Sequence, residues 1–353
     1  MNTFTKISKK LSVLILGLII ATAAVAQDEE GGFSFSGTVD TYYKATPGFG
    51  DSAPNSSFTF GSGFSMGMVN LVTSYEGEKV GFVGDLVFGP RGLEAAFGDN
   101  WSGQNIVNQM FAYWNVSDGL TLTLGQWNTF LGYEVISPAA NFNYSCSYMF
   151  SWGPFNQSGL KADIALSDSW SLMLAVMNPT DVLEKNFTDA NGDFKYTGGV
   201  QLGYSGDAAS VYLNSRFGDA SGKLFQVDLT AGFDLSDAFF LGVNGTVLDD
   251  DGAGFMGVAL YPQIAISDNA TIGARGEYFA VNGDYAGILV TDTNGDGSVI
   301  DLTFSANINV TDNLLLIPEV RFDMTSEDTF VKTDGSTTSS TLPMLLFAAV
   351  YAF

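Results

Sequence analysis

Residues 298–324 read SVIDLTFSANINVTDNLLLIPEVRFDM, and this stretch decides the fold class. Apolar and polar residues alternate on both sides of Val310-Thr311-Asp312-Asn313-Leu314, whose hydroxyl, carboxylate and amide side chains favour a tight chain reversal. Alternation with a period of two places apolar side chains on one face of a β-strand and polar side chains on the other. The stretch therefore predicts a β-hairpin with one apolar face and one polar face.

Similar turns recur along the chain and alternate with longer polar stretches. Seven short turns and eight long loops predict 16 antiparallel strands with both chain ends on the short-turn side, as in outer-membrane barrels with short periplasmic turns and long extracellular loops. The predicted short turns are 76–79, 116–120, 166–170, 205–207, 235–239, 266–270 and 310–314. The predicted long loops are 44–62, 90–103, 129–155, 179–193, 218–222, 249–252, 282–297 and 325–340.

Composition separates a membrane barrel from a soluble β-protein. The chain contains 41 Gly and 29 Phe but only 15% charged residues. No segment after residue 26 carries the run of about 20 apolar residues that a spanning helix needs. Because a bilayer admits only helices or closed barrels, the alternation predicts a closed antiparallel transmembrane β-barrel. A soluble β-sandwich also alternates, but aromatic residues at predicted strand ends favour the barrel because they resemble interface girdles: Tyr42, Tyr43, Tyr75, Trp114, Trp127, Trp170 and Tyr204.

The first 26 residues predict a cleaved signal peptide. Three lysines precede an apolar run at 11–20, and small residues at 24–26 form a cleavage site. Removing residues 1–26 takes away three lysines and no acids, so the formal net charge falls from −24 to −27. We therefore expect export to the bacterial outer membrane with residues 27–353 as the barrel, no N-terminal plug domain, and no nucleic-acid partner.

One segment carries a family resemblance. Within residues 125–162 the sequence contains Leu131-Gly132-Tyr133-Glu134, Asn143-Tyr144-Ser145 followed by Ser147-Tyr148, Gly153-Pro154-Phe155 and Ser158-Gly159-Leu160-Lys161-Ala162. This block resembles the OmpL-like β-barrel porin family. The resemblance implies a pore in the outer membrane.

The third predicted loop, residues 129–155, is long and rich in aromatic residues. Water-exposed loops rarely carry so much aromatic surface, so these side chains must be buried against another part of the protein. The loop is predicted to fold into the barrel and narrow the pore; packing on the outer rim or against a neighbouring protomer is the alternative. The predicted constriction residues are Tyr133, Glu134, Phe142, Tyr144, Tyr148, Phe150 and Trp152.

Charged residues lie on the polar faces of the predicted strands. Arg or Lys on the lipid face costs about 2–4 kcal/mol near the middle of the bilayer, so these residues are predicted to line the pore. Nine acids outnumber five bases, which predicts a weak cation preference; pairing across strands that braces the wall is the alternative. The acids are Asp40, Asp85, Asp163, Asp228, Asp234, Glu277, Asp301, Glu319 and Asp323, and the bases are Lys161, Lys195, Arg216, Arg275 and Arg321.

Asp292, Asn294 and Asp296, followed by Gly297, have the spacing that opens an oxygen-ligand calcium loop. The closing position, where a bidentate Glu is expected, is Thr303, so the match is partial. The same residue types also form ordinary hairpin turns. A structural Ca²⁺ site and an ordinary turn are both open interpretations, and no other cofactor is predicted.

The chain contains no histidine, which excludes histidine-dependent serine, cysteine and zinc chemistry in their usual forms. We therefore predict a porin and not an enzyme, with passive diffusion of small hydrophilic solutes or ions through a water-filled lumen. A non-conducting barrel that acts as a surface adhesin or structural anchor is the alternative. Phe353 ends an alternating last strand and predicts recognition by the barrel assembly machinery. The other predicted partners are outer-membrane lipid and two further copies in a homotrimer.

Overall fold

The computed structural model describes residues 32–50, 54, 56–96, 106–181, 192–220 and 222–353. The predicted signal peptide lies outside the described residues. The described chain forms one closed antiparallel barrel of 16 strands, which confirms the predicted fold class. The barrel strands are β1 (Gly32–Ala45), β2 (Gly63–Glu76), β3 (Val80–Phe88), β4 (Val107–Ser117), β5 (Leu120–Asn128), β6 (Asn156–Ala165), β7 (Trp170–Met177), β8 (Thr197–Ser205), β9 (Ala209–Gly218), β10 (Leu224–Asp234), β11 (Phe239–Asp250), β12 (Ala253–Ser267), β13 (Ala270–Asn282), β14 (Gly297–Asn309), β15 (Leu314–Thr325) and β18 (Thr341–Ala352).

The other elements belong to loops. The strands β16 (Phe330–Val331) and β17 (Thr338–Ser339) form a small hairpin between β15 and β18. The helix α1 (Pro90–Ala95) follows β3, and the helix α2 (Tyr148–Trp152) precedes β6. Among the described residues, no helix is both long and apolar enough to cross a membrane.

Strand β18 closes the barrel. It pairs with β15 on one side and with β1 on the other, where Thr38 lies opposite Ala352 and Ala45 lies opposite Leu345. Each barrel strand therefore has two hydrogen-bonded neighbours. Closure removes the unpaired N–H and C=O groups of a sheet edge, which hydrocarbon could not satisfy.

The short turns lie where the sequence predicts them. In the turn between β14 and β15, the Thr311 hydroxyl accepts the N–H groups of Asn313 and Leu314. The predicted loop at 249–252 is shorter than expected because only two residues separate β11 from β12. Asp251 and Gly252 have φ values of 60° and 91°, and two positive φ values suit a tight hairpin whose twist matches its strands.

Apolar and polar faces alternate along the strands, with the apolar face outside. On β14, Ile300, Leu302 and Phe304 are 44%, 37% and 54% exposed, whereas Asp301 and Thr303 between them are fully buried. The polar face of this strand therefore points toward the barrel interior.

The interior is not polar on every strand. The inward side chains of β18 are apolar and buried, and most of them pack in one cluster with Tyr42 and Tyr144 inside the barrel. The outward side chains of β18 are apolar as well, so both faces of this strand are hydrophobic. The inward set is Leu342, Met344, Leu346, Ala348 and Val350, and the exposed outward set includes Leu345, Phe347 and Tyr351.

Most of the aromatic residues predicted at strand ends are accessible from outside. Tyr43, Trp114 and Trp170 are exposed, and Tyr75 and Tyr204 are partly exposed. The prediction is wrong for two residues: Tyr42 and Trp127 are buried because their positions on the strands direct them inward, into interior apolar clusters.

We expect Phe304→Arg to destabilise the barrel by about 2–4 kcal/mol, because it would place a charge against hydrocarbon near the middle of β14. Ile308→Arg, near the end of the same strand, should cost only about 0–1 kcal/mol. The free energy of unfolding in urea, measured for protein folded into lipid vesicles, checks both values. Equal losses at the two positions would contradict the assignment of this face to lipid.

Candidate functional site

The segment between β5 and β6, residues 129–155, is named loop 3, and it lies inside the barrel. Its main-chain and side-chain atoms contact inward-facing residues on distant parts of the wall, among them Asp228 on β10, Glu277 on β13 and Asp40 on β1. Loop 3 therefore crosses the interior and does not pack on the outer rim.

Wall carboxylates accept N–H groups from the main chain of loop 3. Glu277 accepts the N–H groups of Tyr148 at 2.8 Å and Met149 at 2.7 Å. Glu319 accepts the N–H of Tyr144 at 2.8 Å, and it also accepts the N–H of Ser145. Each hydrogen bond to a charged group contributes about 1.5–3 kcal/mol, so these carboxylates hold the loop backbone firmly.

Two buried arginines donate to main-chain carbonyls of the same segment. Arg275 Nη1 donates to the Ser145 carbonyl at 2.6 Å, and Arg321 Nη1 donates to the Cys146 carbonyl at 2.6 Å. Arg275 also forms ion pairs with Glu134 at 2.8 Å and with Asp301 at 2.7 Å. Residues 144–149 are thus bound by carboxylates through their N–H groups and by arginines through their carbonyl groups.

Side chains of loop 3 also fit closely against the wall. The Tyr144 hydroxyl donates to Asp40 on β1, and the Tyr148 hydroxyl donates to Asp323 on β15 at 3.2 Å. The Tyr133 ring stacks on Tyr261 with centroids 4.3 Å apart. Three inward glycines leave room for side chains of loop 3. A Cβ added at the glycine would lie within 2.6 Å of the loop side chain in each pair: Gly242 with Tyr133, Gly257 with Met149 and Gly273 with Phe142.

The first and second loops add to the material inside the barrel. Arg91 on α1 is fully buried and donates to the carbonyls of Ile136 at 2.8 Å and Tyr144 at 2.9 Å. Phe58 of the first loop packs its ring on Phe150, with centroids 5.6 Å apart. Parts of the first three loops therefore fill space inside the barrel together. Sequence reasoning missed Arg91 and Phe58 because both lie in polar loops without alternation.

The predicted constriction residues all lie within this inward-folded loop. Glu134, Tyr144, Tyr148 and Phe150 are buried, and Tyr133, Phe142 and Trp152 are partly buried. Their role in narrowing a pore stays a prediction.

Most of the predicted pore-lining residues fall into two groups; of the remaining two, Asp234 is exposed at the end of β10, and Lys195 is partly exposed and precedes β8. Lys161 and Asp163 are partly exposed and form an ion pair at 2.7 Å. Ten others are buried, because the loops or neighbouring wall side chains cover them. The prediction that these ten side chains face open water is therefore wrong. These buried residues are Asp40, Asp85, Arg216, Asp228, Arg275, Glu277, Asp301, Glu319, Arg321 and Asp323.

Several of these buried charges pair within the wall, which was the alternative interpretation of the inward acids and bases. Arg321 pairs with Asp323 at 2.8 Å and with Asp301 at 3.3 Å. Asp85 accepts side-chain N–H groups from Asn108 at 2.7 Å and Gln109 at 3.0 Å. Bracing the wall and holding loop 3 are therefore both visible roles of the inward charges.

The Asp292 carboxylate organises a turn. It accepts the N–H groups of Asn294 at 2.8 Å and Asp296 at 3.1 Å. These hydrogen bonds lower the pKa of Asp292, and the one from the Asp296 N–H has the largest effect. Within the described residues no group of three or more Asp, Glu or Cys side chains is placed to hold a metal ion, and calcium binding here stays a prediction.

Phe353 lies at the end of the chain beside β1. Its ring packs on Phe35, with centroids 5.9 Å apart, and its main chain exchanges hydrogen bonds of 3.0 Å with Gly37. Recognition of Phe353 by the assembly machinery stays a prediction.

A closed 16-stranded barrel that is apolar outside and holds a long loop in its interior has the architecture of outer-membrane porins and channels. The chain belongs to the family described as "Putative beta-barrel porin-2, OmpL-like", whose model matches residues 32–353. This match confirms the resemblance seen in loop 3. Comparison with curated proteins finds no match.

Solved structures of outer-membrane proteins, among them a porin and a channel, share the fold. The anion-selective porin of Comamonas acidovorans matches with a TM-score of 0.61 and 11% identity, covering 92% of this chain and 100% of that one. The trimer form of Vibrio cholerae OmpT, folded in vitro, gives a TM-score of 0.56 and 12% identity, covering 92% and 100%. The channel DcaP of Acinetobacter baumannii gives 0.55 and 13%, covering 93% and 99%. Fold and family together place the protein in the bacterial outer membrane.

We expect Glu277→Ala to loosen loop 3, because it removes the acceptor of the Tyr148 and Met149 N–H groups. Loss of two hydrogen bonds to a charged acceptor should lower the protection of these amides by about 3–6 kcal/mol. Hydrogen exchange measured peptide by peptide checks this, with Asp237→Ala on an exposed turn as the control. Unchanged exchange at 144–149 in Glu277→Ala would show that Glu277 does not hold the loop.

Proposed function

We propose that the protein is a porin through which small hydrophilic solutes or ions diffuse passively, in a lumen that loop 3 restricts. The observation that carries the proposal is the fixed path of loop 3 across the interior. Glu277 and Glu319 hold its main chain from one side, and Asp228 holds it from another through the Gly132 N–H at 2.9 Å. A loop fixed at several points leaves a passage of defined shape, as a size-selective channel requires.

The charge inside the barrel supports a weak preference for cations. Among the described residues, eight buried acids accompany five buried bases, and an excess of carboxylates around a pore favours cations. The preference is proposed to be weak because many of these acids already have cationic or main-chain partners. The acids are Asp40, Asp85, Glu134, Asp228, Glu277, Asp301, Glu319 and Asp323, and the bases are Lys44, Arg91, Arg216, Arg275 and Arg321.

A non-conducting barrel that serves as an adhesin or structural anchor is the second candidate. The observation in its favour is the quantity of loop inside the barrel, since Arg91 of the second loop and Phe58 of the first loop are buried together with loop 3. The partly exposed Lys161 and Asp163 on the inner wall argue for an accessible lumen and favour the porin.

The proposed partners are outer-membrane lipid, the barrel assembly machinery and two further copies of the chain. The exposed apolar side chains on the outside of β14 and β18 support contact with lipid. A homotrimer is supported by the trimer form of OmpT, a structure with the same fold. The turn at Asp292 is the proposed place for a structural Ca²⁺.

In planar lipid bilayers we expect the purified protein to give small stepwise conductances. Deleting residues 138–153 should enlarge the steps, because this segment includes the parts of loop 3 that Glu277 and Glu319 hold. A deletion of 330–339, which removes the β16–β17 hairpin, is the control and should change the steps less. Electrically silent insertion of both the intact chain and the loop 3 deletion would overturn the porin proposal and favour the anchor.

In a salt gradient we expect a reversal potential that indicates a modest preference for cations. Glu319→Gln should reduce the preference because it removes one interior negative charge but retains an acceptor for the loop. Asp237→Asn, the same charge change on an exposed turn, is the matched control. A preference for anions in the unmodified protein would overturn the proposed selectivity.

A further inference from the structure

The loops contact most of the inner wall directly. Beginning at β6 and continuing around the barrel, loop 3 reaches Met173 on β7, Gln201 on β8, Asp228 on β10, Gly242 on β11 and Gly257 on β12 through packing or hydrogen bonds. On the far side it reaches Glu277, Ser305, Glu319, Met344 and Asp40, which lie on β13, β14, β15, β18 and β1. The helix α1 fills the space beside β2 and β3, where Gly92 lies against Met68 and Val87.

A cavity remains where loop 3 faces the ends of β4 and β5. Its volume is about 40 Å³, which is room for about three water molecules. The wall side is formed by Asn108 and Asn128, and the loop side includes Thr129, Tyr133, Val135 and Phe155. We name this space the β4–β5 gap.

The inner wall below the gap is accessible, unlike the wall on the opposite side. The inward residues Gln109, Phe111, Tyr113 and Asn115 on β4 are all partly exposed along the length of the strand. On β14 the inward residues Val299, Asp301, Thr303 and Ser305 are buried, and Asn307 near the end of the strand is partly exposed. This accessible strip begins at Gln109, the residue after Asn108 of the β4–β5 gap.

The gap is lined by apolar and aromatic side chains together with a few polar groups, and its one acidic lining residue is paired. Asn108 donates to Asp85 at 2.7 Å, so its amide stands between that carboxylate and the gap. Glu134 lines the gap but is buried and paired with Arg275 at 2.8 Å. Amide and hydroxyl groups thus share the lining with apolar and aromatic side chains, and such a narrow space can discriminate solutes by size and hydrogen bonding.

We propose that the β4–β5 gap is the path by which solutes pass loop 3, and that Asn108, Asn128 and Val135 determine which solutes pass. This inference rests on the proposed porin function. The size of the gap restricts passage to water, small ions and small neutral polar molecules unless loop 3 moves. The weak charge preference then arises from the surrounding buried carboxylates and not from a charge in the gap itself.

The test places a thiol in the gap and measures block of conductance. In a Cys146→Ser background, Val135→Cys should react with a cationic methanethiosulfonate reagent, and the conductance should fall by more than half because the added group fills the gap. Asn128→Cys, on the opposite side of the gap, is a second variant that should behave in the same way. Ala259→Cys is the matched control, since Ala259 faces inward on β12 between Gly257 and Tyr261 and is buried beneath loop 3.

Mass spectrometry of the treated protein shows which thiols have reacted. Modified Val135→Cys or Asn128→Cys with conductance unchanged would overturn the gap as the path, as would block of Ala259→Cys alone. Failure of the thiols in the gap to react in a conducting protein would overturn it as well. Failure of the proposed function would be distinguishable, because the Cys146→Ser background would then insert without conducting before any reagent is added.

Discussion

Main-chain groups inside a barrel need partners that the strands themselves cannot provide, and this constraint organises the interior. Every N–H and C=O of loop 3 that leaves water must find a hydrogen bond or lose the free energy of its hydration. Glu277 and Glu319 supply acceptors, and Arg275 and Arg321 supply donors. The charged inner wall is therefore, in large part, the binding site for a segment of the same chain.

The buried charges fix the position of loop 3 more than they add to the free energy of unfolding of the barrel. Burying an ion pair costs desolvation that nearly offsets its attraction, but removal of one partner leaves an uncompensated charge. Arg275 illustrates this, because it joins Glu134 of loop 3 to Asp301 of the wall while it also holds the Ser145 carbonyl. The same residue thus connects loop 3 to the wall.

Predictions from sequence were accurate for features that depend only on residues close together in the chain. The Thr311 turn, the outward Phe304 and the 16 strands follow from alternation and local hydrogen bonding, which act over a few residues. The inward Tyr42 and Trp127 were misassigned, because an aromatic residue near a strand end suits an interface and an interior cluster equally well. Only the partner decides between the two: Tyr144 for Tyr42 and Phe130 for Trp127.

The sequence by itself determined the closed barrel, because its period of two and its turn residues allow no other way to hide so much apolar surface in a bilayer. It also marked loop 3 as a segment that had to be buried. The tertiary structure alone decided what buries it, since Glu277 and Met149 are 128 positions apart in the chain but in hydrogen-bond contact. Contacts at that separation depend on barrel closure and register, and no local pattern in a single sequence encodes them.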